Sequence, residues 1–358
     1  MRTRFKPHIK ALERHRTSVG RDFEGLRLDR NERVHPLPPE VVRDAMAQFT
    51  GALIAAHPES APLYARIAAF LGVAEDRIYL LNGITEGIHH LYFTLAGPGD
   101  NTVVLDPTYP MYAVYARLNG VQYRPFRYGE DLRPDWSSLE RALDDDTAIV
   151  AVANPNLPLE SAFGRDDIRR LADHARRHGA ALVVDEAYHH FGAESVVDLV
   201  DEIDNLIVMR TFSKAFGLAS ARIGYMVGRP DVIDYVSKTR SLVESNTYSM
   251  GLAAYMLDHP EIMAAHVADV KAGAARLQDG LTRLGLRWHG GHVTNGLLIF
   301  LDGRGTVDDC LRWMAERRIY VRGAFSPPFD TCVRVSIGRP EDMDIFLAEL
   351  GSWLESTA

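Results

Sequence analysis

Cysteine is scarce in the chain, with Cys310 and Cys332 the only two. Two thiols set apart from any histidine ladder form neither a zinc site nor a disulfide framework. A reducing, cytoplasmic setting fits that usage. No stretch approaches the ~20 apolar residues of a membrane span. The basic start, Met1-Arg-Thr-Arg-Phe-Lys6, runs into no apolar segment, so no signal peptide is expected. Positive charge is in deficit, with 40 Lys and Arg against 48 Asp and Glu. That balance argues against a nucleic-acid or membrane-surface partner. Internal repeats and low-complexity segments are absent. Neither a Walker lysine motif nor a Gly-x-Gly-x-x-Gly strand turn occurs, so nucleotide binding lacks support. His89-His90 and His189-His190 are adjacent pairs, and neighbours on a helix do not face one site. Without a helical i, i+4 pair or a carboxylate ligand pattern, no metal is expected.

What the chain does contain is ordinary globular text, 46% hydrophobic and 25% charged over 358 residues. At ~100–200 residues per domain this predicts two lobes. The first forty-odd residues are irregular, and Val34-His-Pro-Leu-Pro-Pro39 breaks any helix. Helical patterns follow at Pro39 to Phe49 and at Ala61 to Leu71, the latter ended by Gly72. Short apolar runs then alternate with amphipathic stretches. The runs are Thr102–Leu105, Ala148–Val152, Ala181–Val184, Leu206–Met209 and Ile223–Val227; between them stand Met111–Leu118, Asp166–His178 and Asp198–Ile203. The fold class this predicts is α/β, a mainly parallel sheet flanked by helices. Beyond Asp231 the pattern changes to long helices up to Leu286. A strand at Gly296–Leu301, a helix at Thr306–Arg317, strands at Ile319–Arg322 and Cys332–Ile337 and a last helix at Glu341–Leu354 make a smaller α+β C-terminal domain. The expected division is an arm over residues 1–45 packing on the small domain, a large domain over 46–245 and a small one over 246–358.

Ligands of parallel α/β sheets bind at the carboxyl ends of the strands, and polar residues stand at those ends here. Asn154-Pro-Asn-Leu-Pro158 follows one apolar run, Asp185-Glu-Ala-Tyr188 the next and Ser213-Lys214 a third, with Arg222 before the last strand. The run Thr211-Phe-Ser-Lys-Ala-Phe-Gly-Leu-Ala219 with Arg222 offers a lysine able to form a Schiff base beside a cation able to hold a phosphate. Those are the requirements of a pyridoxal phosphate enzyme. Asp185 ends an apolar run where a carboxylate needs a partner. Asn82-Gly-Ile-Thr-Glu86 lies between a strand and a helix, so its N–H groups face an anion site; Thr85 serves equally as an N-cap.

With these residues in place, the chain resembles the fold-type I pyridoxal phosphate aminotransferases, and most of all the histidinol-phosphate aminotransferase family. The likeness runs from Leu28-Asp-Arg-Asn-Glu32 to Arg334-Val-Ser-Ile-Gly338. It implies catalytic roles for Lys214, Asp185 and Tyr188. Lys214 would carry the cofactor pyridoxal 5'-phosphate and shuttle a proton, Asp185 would pair with the ring nitrogen, and Tyr188 and Asn154 would face the ring hydroxyl. Ile84, Thr85, Ser213 and Arg222 are implied around the phosphate, Tyr109 on the ring face, and His57 reaching the phosphate of a neighbouring subunit. Arg334 is implied for the substrate carboxylate and Arg322 for a substrate phosphate; a solvated strand-end arginine is the other reading of Arg322. Asn31 and Asn295 also stand in family-like settings. A homodimer with shared sites, acting on an amino donor and a 2-oxo acid acceptor, follows from the same likeness.

The chain departs from the family pattern at several places. Where Asn-Pro-Asn-Asn-Pro-Thr-Gly is common, it reads Asn154-Pro-Asn-Leu-Pro-Leu-Glu160. His57-Pro58 replaces a Tyr-Pro pair, Glu244 stands near a usual proline, and Asn31-Glu-Arg-Val-His-Pro36 differs from Asn-Glu-Asn-Pro. These positions face substrate or subunit, so a specialised biosynthetic aminotransferase and a histidine-pathway enzyme both stand as readings. A decarboxylase or lyase on the same cofactor is the alternative, because one electron sink activates all the bonds at the α-carbon. An aminotransferase-like sensing domain would need a DNA-binding partner that the first 45 residues do not supply.

Overall fold

In the computed structural model, residues 7–12, 20–323 and 325–357 are described. Residues 1–6 and 13–19 of the expected arm lie outside them. Seven strands form the large sheet: β1 (Ile78–Leu81), β2 (Asn101–Asp106), β3 (Gln122–Arg127), β4 (Thr147–Ala153), β5 (Ala181–Asp185), β6 (Leu206–Thr211) and β7 (Gly224–Val227). Their spatial order is β1-β7-β6-β5-β4-β2-β3. All neighbouring pairs are parallel except those made by β7, which runs against both β1 and β6. This is the mainly parallel sheet that the near-continuous apolar runs predict. Every residue of β6 is buried, because helices cover both faces.

One face of the sheet packs Leu80, Val150, Val184 and Val208 against Leu171 and Ala175 of the helix Arg165–Arg177. The other face packs Leu81, Val104, Val183 and Met209 against Ile88 and Leu91 of the helix Ile84–Leu95. Arg165–Arg177 opens on Asp166 and Asp167 and closes before Gly179, whose φ of 72° suits a glycine. Helix Ala61–Leu71 ends at Gly72 as expected, with φ 71°.

The helix expected at Asp198–Ile203 is instead a 3-10 turn, Val197–Asp201. Asp198 there is paired with Arg165 of the neighbouring helix at 2.7 and 2.8 Å. The sequence pattern also passes over β3, whose polar text with a central Pro125 belongs to a sheet edge.

A three-stranded antiparallel sheet forms the second layer system: β8 (Arg287–Gly290), β9 (Gly296–Phe300) and β10 (Cys332–Ser336), in the order β10-β9-β8. Its core joins Leu297, Ile299, Val333 and Val335 to the helices Pro260–Arg283 and Pro340–Thr357. Leu28 of the arm lies fully buried in that core, and Leu26–Arg27 pairs in parallel with Ile319–Tyr320. Helix Thr247–Asp258, just beyond the expected division, sends Met250, Ala253 and Met256 into the core of the large sheet instead.

Candidate active site

A cavity of about 1050 Å³ opens at the carboxyl ends of β2, β4, β5 and β6, and it is walled on the far side by Arg322 and Arg334. Lys214 enters from the turn after β6. Its Nζ donates to the carbonyl of Asn31 at 3.0 Å and lies 5.4 Å from the centre of the Tyr188 ring. The arm residue is therefore part of the lysine's surroundings, although 183 residues separate them in sequence.

Asp185 is the last residue of β5 and is 4% exposed. Burial pushes its carboxyl up to about 6. The N–H of Ala187, the hydroxyl of Tyr112 and the charge of Lys214 each pull the other way. The two hydrogen bonds are 3.0 Å from Ala187 and 3.2 Å from Tyr112. A buried carboxylate so placed is suited to a cationic partner in the cavity. Tyr112, on the helix Met111–Asn119, is a functional neighbour that the sequence does not single out.

The anion-binding side is built at Gly83. Its φ of 79° turns the chain into the helix Ile84–Leu95, whose first N–H groups have no intrahelical partner. Glu86 closes the entry by accepting from the Asn82 N–H at 2.6 Å. Arg222 takes the left-handed conformation, φ 51°, and reaches the same spot. A Cβ on Gly83 would stand 2.8 Å from Arg222 Nη2, so the absence of a side chain lets the guanidinium close over the helix end. Ser213, nearly buried, lines the cavity beside it. Thr85 Oγ1 shares a 3.0 Å hydrogen bond with the hydroxyl of Tyr109. This backbone cradle, with one hydroxyl and one guanidinium, fits a phosphate group.

On the opposite wall Arg334 donates to the carbonyl of Asp29 at 2.6 Å, while its Nε is buried without a partner. Burial lowers the pKa of its guanidinium, and the charge of neighbouring Arg322 adds to the effect. Asn31, at φ 53°, donates through Nδ2 to the Tyr188 hydroxyl at 3.2 Å and exchanges bonds with Ser336 Oγ at 2.7 and 3.1 Å.

Two expected residues stand apart from the cavity. Asn154 is fully buried, with its amide spent on the main chain of Phe163 at 3.1 and 2.8 Å. His57 is exposed after the helix Gly51–Ala55 and does not line the cavity. The Asn154–Pro155 peptide is cis. Asn295 is buried at the start of β9, with neither side-chain atom bonded. Among the described residues no cluster of His, Cys, Asp and Glu is able to hold a metal ion. No helix there is long and apolar enough to cross a membrane.

Comparison with known proteins adds to this geometry. The family model for aminotransferase class I and II matches residues 24–350. A histidinol-phosphate aminotransferase of Thermococcus gammatolerans is 30% identical over 324 residues, covering 90% of each chain. That of Dehalococcoides mccartyi strain CBDB1 is 28% identical, over 91% of this chain and 89% of the relative. The solved histidinol-phosphate aminotransferase of Sinorhizobium meliloti, in complex with pyridoxal-5'-phosphate, shares the fold at a TM-score of 0.88 and 24% identity, covering 100% and 99% of the two chains. A lysine at the end of a parallel strand, a buried aspartate at the next and a glycine-opened helix end thus sit within a match that spans nearly the whole sequence, and the chain belongs to the class I and II aminotransferases.

Proposed function

We propose that this aminotransferase uses pyridoxal 5'-phosphate held on Lys214 to move an amino group from an amino acid, or an amino compound bearing phosphate or phosphonate, to a 2-oxo acid. The observation that carries the reading is the convergence of Lys214, Asp185 and the Gly83–Arg222 cradle on one cavity. Ile84, Thr85, Ser213 and Arg222 would hold the phosphate, Asp185 the ring nitrogen and Tyr109 the ring face, with Tyr188 at the ring hydroxyl. Asn154 reaches that hydroxyl only if its amide leaves Phe163. Bound there, the cofactor supplies an electron sink for the electron pair left at the donor α-carbon.

The protein's own tasks are positional and protolytic. Lys214 Nζ, aimed into the cavity from β6, takes the α-proton and returns it. Asn31 holds Nζ through its carbonyl and Tyr188 through its amide, so one residue sets both groups. Arg334, already seated on Asp29, presents its guanidinium to the donor carboxylate. Arg322 lies directly across a strand bridge from it and supports a second anionic group on the substrate. A histidinol-phosphate-like donor, which has no carboxylate, would set its single phosphate against this pair of guanidiniums, and the named relatives support that donor.

A homodimer completes the reading, with His57 of one copy reaching the other's phosphate. Exposed Leu53 and Ile54 beside His57 are consistent with a covered face. The division into arm 1–45, cofactor-binding lobe 46–245 and small lobe 246–358 is part of this reading, supported by separate cores under the two sheets except at the helix Thr247–Asp258, which packs on the large one. So is a cytoplasmic setting, supported by two buried free thiols. The test is a half-reaction: donors are added singly, without acceptor, to the cofactor-loaded protein. Stoichiometric 2-oxo product and loss of the visible absorbance are expected; release of carbon dioxide instead would favour the decarboxylase alternative.

A further inference from the structure

Glu160 ends the run Asn154-Pro-Asn-Leu-Pro-Leu-Glu160, where the resembling family commonly ends on glycine. Its carboxylate meets no Lys or Arg within ion-pair distance among the described residues. It accepts instead from a turn of the small lobe, 132–134 residues away. The N–H of His292 lies 3.2 Å from Oε1 and 3.0 Å from Oε2, the N–H of Val293 2.9 Å from Oε1, and the hydroxyl of Thr294 2.7 Å from Oε1. The Glu160 carbonyl adds a contact of 3.2 Å to His289 Nε2. Gly290 and Gly291, at φ 97° and 81°, fold this turn, and a Cβ on Gly290 would stand 3.3 Å from Glu160 Cβ. Successive N–H groups pointing at one carboxylate form an anion nest, and charge-assisted bonds of this kind are about twice as strong as neutral ones.

The turn leads straight into β9. In that strand Leu298 is registered against Arg334 of β10, and Gly296 against Ser336. Ser336 bonds to Asn31, whose carbonyl holds Lys214. On its other side Glu160 follows Leu157 and Pro158, which line the cavity, and Leu159, which is buried with Leu298, Phe329 and Cys332 of the small lobe. Glu160 thus ties a wall of the cavity that Lys214 enters to the sheet that carries Arg334.

We propose that Glu160 is a positioning residue for amino transfer: its clasp on residues 292–294 fixes the spacing between Arg334 and Lys214. The proposal rests on the reading of Arg334 as the carboxylate-binding group. Misplacing a substrate anchor by about 1 Å costs up to roughly a hundredfold. Glu160→Ala should therefore lower kcat/KM for carboxylate donors about ten- to a hundredfold, mainly through KM. Glu160→Gln keeps an acceptor at the Oε1 position and should recover part of the loss; Thr294→Val should show a smaller loss of the same kind.

The decisive comparison is made in an Arg334→Ala background, where Glu160→Ala should cost less than about twofold more, because the group it positions is gone. Losses that multiply in that background, or single-variant activity within about twofold of wild type, overturn the proposal. Hydrogen exchange on the cofactor-loaded protein gives a readout apart from activity. The amides of His292 and Val293 should be protected in wild type and lose protection in Glu160→Ala; unchanged protection also overturns it. A wild-type protein with those amides protected that deaminates no donor would overturn the aminotransferase reading on which the proposal rests.

Discussion

Arg322 and Arg334 exchange both of their main-chain hydrogen bonds, at 3.0 and 2.7 Å, across an antiparallel bridge. Residues directly opposite on such a bridge share one face, and like charges there repel. An anion between them relieves that repulsion. Arg322→Ala should weaken donors that carry a second anionic group by about tenfold or more while changing monoanionic donors little. Arg334→Ala should raise KM for every carboxylate donor more than it lowers kcat. Donor-panel kinetics on the two variants check both statements.

Asp185 gives the cofactor-free protein a pH dependence of known sign. Its folded-state value of about 6 lies above its ordinary 3.8, with burial the largest cause. The stability it contributes is complete below about 3.8 and is lost as pH rises through about 6. Asp185→Asn, freed of cofactor, should match wild type near pH 4 and exceed it by up to about 3 kcal/mol near pH 8. Added pyridoxal phosphate should reverse that order at pH 8, because an amide cannot neutralise a ring cation. Urea unfolding at the two pH values, with and without cofactor, is the measurement.

Gly83→Ala places a methyl group 2.8 Å from Arg222 Nη2 at a φ of 79°. At ψ 161° this backbone conformation is essentially restricted to glycine and costs about 1–3 kcal/mol in a residue with a Cβ, and the guanidinium must swing away from the helix end. Cofactor affinity should fall by about tenfold or more, measured by fluorescence titration of the cofactor-free variant.

Behind the site, Arg210 and Glu186 form a buried pair at 2.9 Å, and Glu186 also accepts from Ser195 at 3.0 Å and from the Val196 N–H at 2.6 Å. Glu186→Gln leaves Arg210 without a counter-charge, a change that costs about 3–5 kcal/mol in such pairs. The midpoint of denaturant unfolding should drop accordingly and recover partly in Glu186→Gln/Arg210→Met.

Five strands of the large sheet were legible because each is a short apolar run, and Asp185, Ser213 and Lys214 because they sit at the ends of such runs. Edge strand β3 was not, since Gln122, Arg124, Pro125 and Arg127 break up its apolar residues and leave no continuous run. The bond from Asn31 to Lys214 and the clasp of Glu160 on residues 292–294 join positions more than 130 residues apart. Local spacing holds no trace of such pairs. Asn154 shows the converse: its place in the motif was readable, but the turn that gives its amide to Phe163 depends on packing.

On the proposed reading everything turns on Lys214 as the residue that carries the cofactor. The most direct measurement is borohydride reduction of the pyridoxal phosphate-loaded protein, followed by proteolysis and mass spectrometry of the peptides. One reduced phosphopyridoxyl group is expected, on the peptide containing Lys214, with neither label nor turnover in Lys214→Ala of native circular dichroism. Label on a different lysine, or full activity in Lys214→Ala, would contradict it.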